Sequence, residues 1–228
     1  MDLEVTDLAC RYGSRLIFSG VGFRVGPGGL LVVHGPNGSG KTTLLRCLAG
    51  LARPASGTIR IDSDQSTFLG HRSAVTATMS VADNLRFWAN VHGYFGKDAD
   101  VRTQKAAELL NITPYIDQPA GSLSAGQRRR LGIARIHAAG RAVWLLDEPT
   151  TALDADSITG FGTLLEDHLE AGGQAVLTSQ KPEFSDSAAS IDLAVHSGMA
   201  EGKTDGESIY SGVSAGPTRE TRSRPEFA

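Results

Sequence analysis

Two cysteines in 228 residues, Cys10 and Cys47, supply no metal-type or redox-type spacing, and no Cys-x-x-Cys-His haem attachment is present. A reducing compartment is therefore the expectation. Long apolar runs are equally scarce. The stretch from Leu30 to Val33 falls far short of the roughly 18 residues that span a bilayer, so any membrane role is expected to act through a partner. A basic excess is missing too: 22 Lys and Arg stand against 25 Asp and Glu, a net charge of −3. That balance argues against nucleic acid as a ligand. The N-terminus Met1-Asp2-Leu3-Glu4 lacks the basic start and apolar core of a secretory signal, so none is expected. No internal repeat is visible.

What is present reads as alternating strands and helices. Residues 2 to 33 have strand character, with Val21, Phe23 and Val25 alternating with small or polar residues. Gly26-Pro27-Gly28-Gly29 is a turn, and Leu30-Leu31-Val32-Val33 suits a buried strand. A glycine loop follows, then a predicted helix with Leu44, Leu45, Leu48 and Leu51 on one side. Thr58 to Asp62 and Thr67 to Leu69 read as further short strands. From about Ser80 to Gly140 the pattern is helical, opening with Ser80 as an N-cap and Asp83 in the first turn. Strand character returns at Ala142 to Leu146 and Ala175 to Thr178. The whole is an α/β core with a helical insertion. From about Ser197 the chain turns to Gly, Ser, Thr, Arg and Glu, too polar to offset its ordering entropy, and is expected to be disordered.

The strongest motif is Gly35-Pro36-Asn37-Gly38-Ser39-Gly40-Lys41-Thr42. It satisfies G-x-x-x-x-G-K-[ST], the Walker A pattern, and lies between an apolar strand and a helix as the chemistry requires. Its glycines allow backbone N–H groups to turn inward onto phosphate oxygens, where a helix N-terminus adds positive potential. Lys41 is expected to reach the β- and γ-phosphates of ATP, Thr42 to ligate Mg²⁺, and Thr43 to lie near the α-phosphate. Far along the chain, Ala142 to Leu146 is an apolar strand ending in Asp147 and Glu148. Asp147 suits the Walker B role of holding Mg²⁺, and Glu148 that of a base polarising the attacking water.

Leu123-Ser124-Ala125-Gly126-Gln127, shortly before that strand, resembles the LSGGQ signature of the ABC ATPase family, with alanine in place of the first glycine. The resemblance runs from about Leu3 to His196. It implies a P-loop NTPase fold with an N-terminal antiparallel β-subdomain and a helical subdomain at about residues 74–140, followed by a tail at 197–228. It also implies that Ser124, Gly126 and Gln127 complete the ATP site of a second copy in a head-to-tail ATP-sandwich dimer. Thr150-Thr151-Ala152-Leu153-Asp154 resembles the D-loop that bridges the two sites, and Tyr12 is placed like the aromatic that stacks on adenine.

Phe68-Leu69-Gly70-His71-Arg72, Met79 to Trp88 and Leu123 to Arg135 make the chain most similar to the ATP-binding subunit of the haem exporter of cytochrome c biogenesis, the CcmA family. That likeness implies a peripheral subunit on the cytoplasmic face of the inner membrane, paired with an integral membrane subunit. It further implies that ATP turnover drives release of a haem-loaded chaperone for c-type cytochrome assembly, with cytochrome c assembly proteins as further partners. The ABC family at large has glutamine where this chain has His71, and a switch histidine where it has Gln180. Both residues are expected to attend the hydrolytic step. Because the Gln180 amide carries no charge, hydrolysis is expected to be retained but slower. Two other readings fit the motifs: the ATPase of another small ABC exporter, and a non-transport ABC ATPase.

Overall fold

The computed structural model describes residues 1–179, 188–196 and 213–214. Strand β1 (Leu3–Tyr12) pairs antiparallel with β2 (Arg15–Val25) on one side. A second sheet starts with β3 (Leu30–His34), which runs through a glycine loop into helix α1 (Lys41–Leu48). Strand β4 (Ser56–Arg60) then returns to flank β1, giving the first sheet the order β2-β1-β4. Strand β5 (Ser66–Leu69) belongs to the second sheet and precedes helices α2 (Val81–Val91), α3 (Lys97–Leu109) and α4 (Ala125–Ala139). The chain continues as β6 (Val143–Asp147), α5 (Ala155–Glu170), β7 (Gln174–Thr178), β8 (Ala189–Asp192) and β9 (Val213–Ser214). The six-stranded order is β5-β6-β7-β3-β8-β9, parallel except for the β8–β9 pair.

Parallel strands covered on both faces need apolar residues at consecutive positions, and β3 and β6 supply them. Leu31 and Val33 pack with Phe18, Phe23, Leu44 and Leu45, beneath the antiparallel sheet and α1. Val32, one residue out of phase, packs on the opposite face with Leu146, Leu177 and the helices. Trp144 and Leu145 divide between the two faces in the same way. The sheet is thus a partition between two cores.

The expected elements are present, with two corrections: the strand expected at Thr58 to Asp62 lies at Ser56–Arg60, and the stripe of α1 stops short of Leu51. Helix α1 ends at Leu48, and Leu51 lies beyond it, 61% exposed, after Gly50 has turned the chain at φ +69°. Leu51 therefore does not share the buried face of Leu44, Leu45 and Leu48. Ser80 caps α2 as expected, its Oγ accepting from the Asp83 N–H at 3.0 Å. The two cysteines, 37 positions apart, meet between β1 and α1 with sulfurs 4.0 Å apart. Burial, with Cys10 alongside, pushes the Cys47 thiol up to about 12, so it packs as a small apolar group. In the tail only Val213–Ser214 is described, and it pairs with Ser190 and Ile191. The rest of the segment expected to be disordered lies outside the described residues.

Candidate active site

Register brings the ends of four strands to one edge of the sheet. Leu69 lies beside Leu146, Asp147 beside Thr178, and Thr178 beside Val33. The 35–42 loop, Asp147, Glu148 and the turn after β5 therefore emerge together at the carboxyl edge, where ligands bind in open α/β sheets.

In the loop, close approach excludes side chains at two glycines. A Cβ on Gly40, at φ +102°, would stand 2.6 Å from Ile17 Cγ2, and one on Gly35 would meet Ser39 Oγ at 2.8 Å. Lys41 is buried, 6% exposed, and its Nζ donates to the carbonyls of Gly35 at 2.7 Å and Pro36 at 3.1 Å. Among the described residues no carboxylate comes within ion-pair distance of it. A buried ammonium paired only with neutral dipoles suits an anionic ligand. Ser39 Oγ is buried without a hydrogen-bond partner among the described residues, a second polar atom left for a ligand. Pro36, Asn37 and Gly38 are exposed at the loop tip, and Thr43 is half-buried on the first turn of α1.

Asp147 is 1% exposed. Thr42 Oγ1 donates to its Oδ2 and Thr178 Oγ1 to its Oδ1, each at 2.9 Å. His71 Nε2 stands 3.5 Å from Oδ2, its side chain 68% exposed. One carboxylate and a threonine hydroxyl fit Mg²⁺, which keeps several waters and takes few protein ligands. The described residues hold no cluster of three or more His, Cys, Asp or Glu that would favour an all-protein cage. Glu148 follows at φ +48°, its N–H donating to Thr178 Oγ1 at 2.9 Å and Thr151 Oγ1 donating to its Oε2 at 3.4 Å. A non-glycine residue at that φ persists only where the surroundings over-determine it.

Ser124 caps α4 in a reciprocal box: its Oγ accepts from the Gln127 N–H at 3.2 Å, and its own N–H donates to Gln127 Oε1 at 2.7 Å. A Cβ on Gly126 would meet Ala152 O at 3.0 Å. Among the described residues, none of Ser124, Gly126 and Gln127 hydrogen-bonds to residues 35–43. Tyr12 is 85% exposed at the β1–β2 turn. Gln180 lies outside the described residues.

Two contributors were not singled out in the sequence. Thr178 has a signal, a lone hydroxyl residue closing an apolar strand. Arg129 belongs to an arginine run whose bland reading is an exposed helix face, yet it is 8% exposed. Its guanidinium donates to the carbonyls of Gly70, Asp147, Glu148 and Pro149. Burial pulls its pKa down, opposed by the charges of Asp147 and Glu148.

Comparison with known proteins identifies the family. A family model described as ABC transporter matches residues 18–151. The cytochrome c biogenesis ATP-binding export protein CcmA of Cereibacter sphaeroides is 39% identical over 216 residues, covering 94% of this chain and 100% of its own. The protein of that name from Paracoccus denitrificans is 46% identical, covering 78% and 81%. Among solved structures, an ABC transporter ATP-binding protein of Pyrococcus furiosus superposes with TM-score 0.74 at 26% identity, covering 86% of this chain and 100% of that one. An ATP-binding subunit of another ABC transporter shares the fold, with TM-score 0.79 at 20% identity over 85% and 86% of the two chains. The chain therefore belongs to the ABC transporter family of ATP-hydrolysing subunits, among the cytochrome c biogenesis ATP-binding export proteins.

Proposed function

We propose that the chain powers a membrane export complex of c-type cytochrome maturation, from the cytoplasmic face of the inner membrane. Its ATPase domain spans residues 1–196, with residues 74–140 as the helical unit. The observation that carries the nucleotide reading is the buried Lys41 ammonium, held by the carbonyls of Gly35 and Pro36 with no carboxylate among the described residues to neutralise it. Phosphate oxygens supply that charge. Lys41 and the loop amides of Gly38 and Gly40 orient the phosphates, and Tyr12 offers an open aromatic face to adenine. Thr42 and Asp147 hold Mg²⁺, which neutralises charge on the β- and γ-phosphates when bound. Glu148 accepts the proton of the attacking water, and His71 and Gln180 hydrogen-bond around it. Ser124, Gly126 and Gln127 present a capped helix N-terminus to the nucleotide of a second copy. No helix among the described residues is long and apolar enough to cross a membrane, so an integral membrane subunit carries the substrate path. The names of the relatives support export in cytochrome c biogenesis as the process served, and haem delivery to cytochrome c assembly proteins is the work proposed for it.

The test is purification of the full-length chain from detergent-solubilised inner membranes, beside Glu148→Gln. The expected result is a small integral membrane protein travelling with both, with phosphate release lost in the variant alone. Recovery with nucleic acid in a salt-sensitive complex, and with no membrane protein, contradicts the reading.

A further inference from the structure

Arg129 lies on the second turn of α4, on the same helix as Ser124, Gly126 and Gln127. Its buried fork spans two loops. Nη1 donates to Gly70 O at 2.7 Å, the residue before His71. Nη2 donates to Asp147 O at 2.5 Å and Glu148 O at 2.8 Å, and Nε to Pro149 O at 3.3 Å. Among the described residues it forms no ion pair. Burying a guanidinium in this way is costly, and apolar packing of the same volume is often the more stable choice. Its five donors in a fixed plane nevertheless match carbonyls that one apolar side chain would leave bare.

The Glu148 peptide environment gives this arrangement a purpose. Glu148 sits at φ +48°, with its N–H held by Thr178 and its carbonyl by Arg129. The strained residue is clamped from both sides, one clamp in β7 and the other in α4. Neighbouring residues tie the same helix to the segment after β6: Arg130 Nη1 lies 4.0 Å from Asp154 Oδ2, and Gly126 packs against Ala152.

We propose that Arg129 is a positioning residue for hydrolysis, fixing the Asp147-Glu148-Pro149 backbone and the His71 loop to the helix that begins at Ser124. This rests on the roles of Glu148 and Ser124 proposed above. The helix end that meets a second copy's nucleotide and the acids that serve this copy's own nucleotide then shift as one body. Occupancy of one site is thereby felt at the other.

Full-length Arg129→Gln and Arg129→Lys, with His71→Ala alone and combined with each, separate this role from simple support of the fold. The readouts are kcat, KM for MgATP, the Hill coefficient and binding of a fluorescent ATP analogue. Arg129→Gln is expected to lower kcat about tenfold or more, as small displacements of reacting groups do. Its KM and analogue affinity stay within about threefold of wild type, because the 35–42 loop is untouched. The Hill coefficient falls toward 1, and Arg129→Lys recovers part of kcat. His71→Ala adds little on the Gln background, since its loop has already lost its anchor. A kcat within about twofold of wild type, or kcat and analogue affinity lost together, overturns the proposal. If Arg129→Gln does not fold, full additivity of Arg129→Lys with His71→Ala overturns it. Turnover surviving in Glu148→Gln, where Arg129 is intact, sinks instead the reading of the site beneath it.

Discussion

Thr178 Oγ1 reaches two groups, donating to Asp147 Oδ1 and accepting from the Glu148 N–H, each at 2.9 Å. Replacing it with valine keeps the shape of the strand end and removes both bonds. Leaving a buried carboxylate oxygen and an amide without their hydroxyl costs about 1–3 kcal/mol. Thr178→Val is thus expected to lower the urea midpoint, and to reduce kcat more than it raises KM, in paired unfolding and phosphate-release measurements. At this scale the sequence was only partly legible. Lys41, Asp147 and Glu148 announce themselves because their neighbours in the chain set their context. Thr178 and Arg129 do not, because the carbonyls, amide and carboxylate they bind come from segments 18 to 59 positions away. The positive φ of Glu148 is also invisible in sequence, since glutamate seldom adopts it.

Elements were the most legible level. Leu30 to Val33 and Val143 to Leu146 are apolar at every position because both faces of the sheet are covered. Ser80 and Ser124 mark helix starts because their hydroxyls satisfy N–H groups that no carbonyl reaches. Leu51 misled because its spacing continues the α1 stripe while Gly50 turns the backbone away. The loop itself is limited by its neighbour β2. Gly40→Ala would force a Cβ against Ile17 and Phe18 at a φ of +102°, a strain on the order of 1–3 kcal/mol. The expected outcome is weaker binding of a fluorescent ATP analogue, with helix content by circular dichroism retained. Unchanged affinity would show that β2 yields easily.

Across the molecule, the partition by the six-stranded sheet sets how stability responds to pH. On the helical side Trp144 stacks on His168 at 4.0 Å between ring centroids, with His137 edge-on at 6.4 Å. Burial lowers the His137 pKa to about 4, helped by Arg102, Lys105 and His168 and opposed by Asp167. His168 is lowered as well, mainly by burial. The unfolded chain thus takes up these protons first. Their contribution is complete above about pH 6.5 and is lost as pH falls toward 4, by on the order of 3 kcal/mol for His137. Urea midpoints are expected to fall across that window, and His137→Gln to flatten the fall. A slope unchanged in that variant would place the acid sensitivity elsewhere.

The order of strands also decides what one copy can complete. It gathers Lys41, Thr42, Asp147 and Glu148 at one edge, while the capped start of α4 makes no hydrogen bond to residues 35–43. A site built from the loop of one chain and Ser124 of another is the central claim. Its most direct test is the solution mass of full-length Glu148→Gln by light scattering, with and without MgATP, beside the same chain carrying Ser124→Arg. The account predicts a dimer only with MgATP, and a monomer in the double variant under both conditions. A chain that stays monomeric with ATP bound, or dimerises equally with Ser124→Arg, would contradict it.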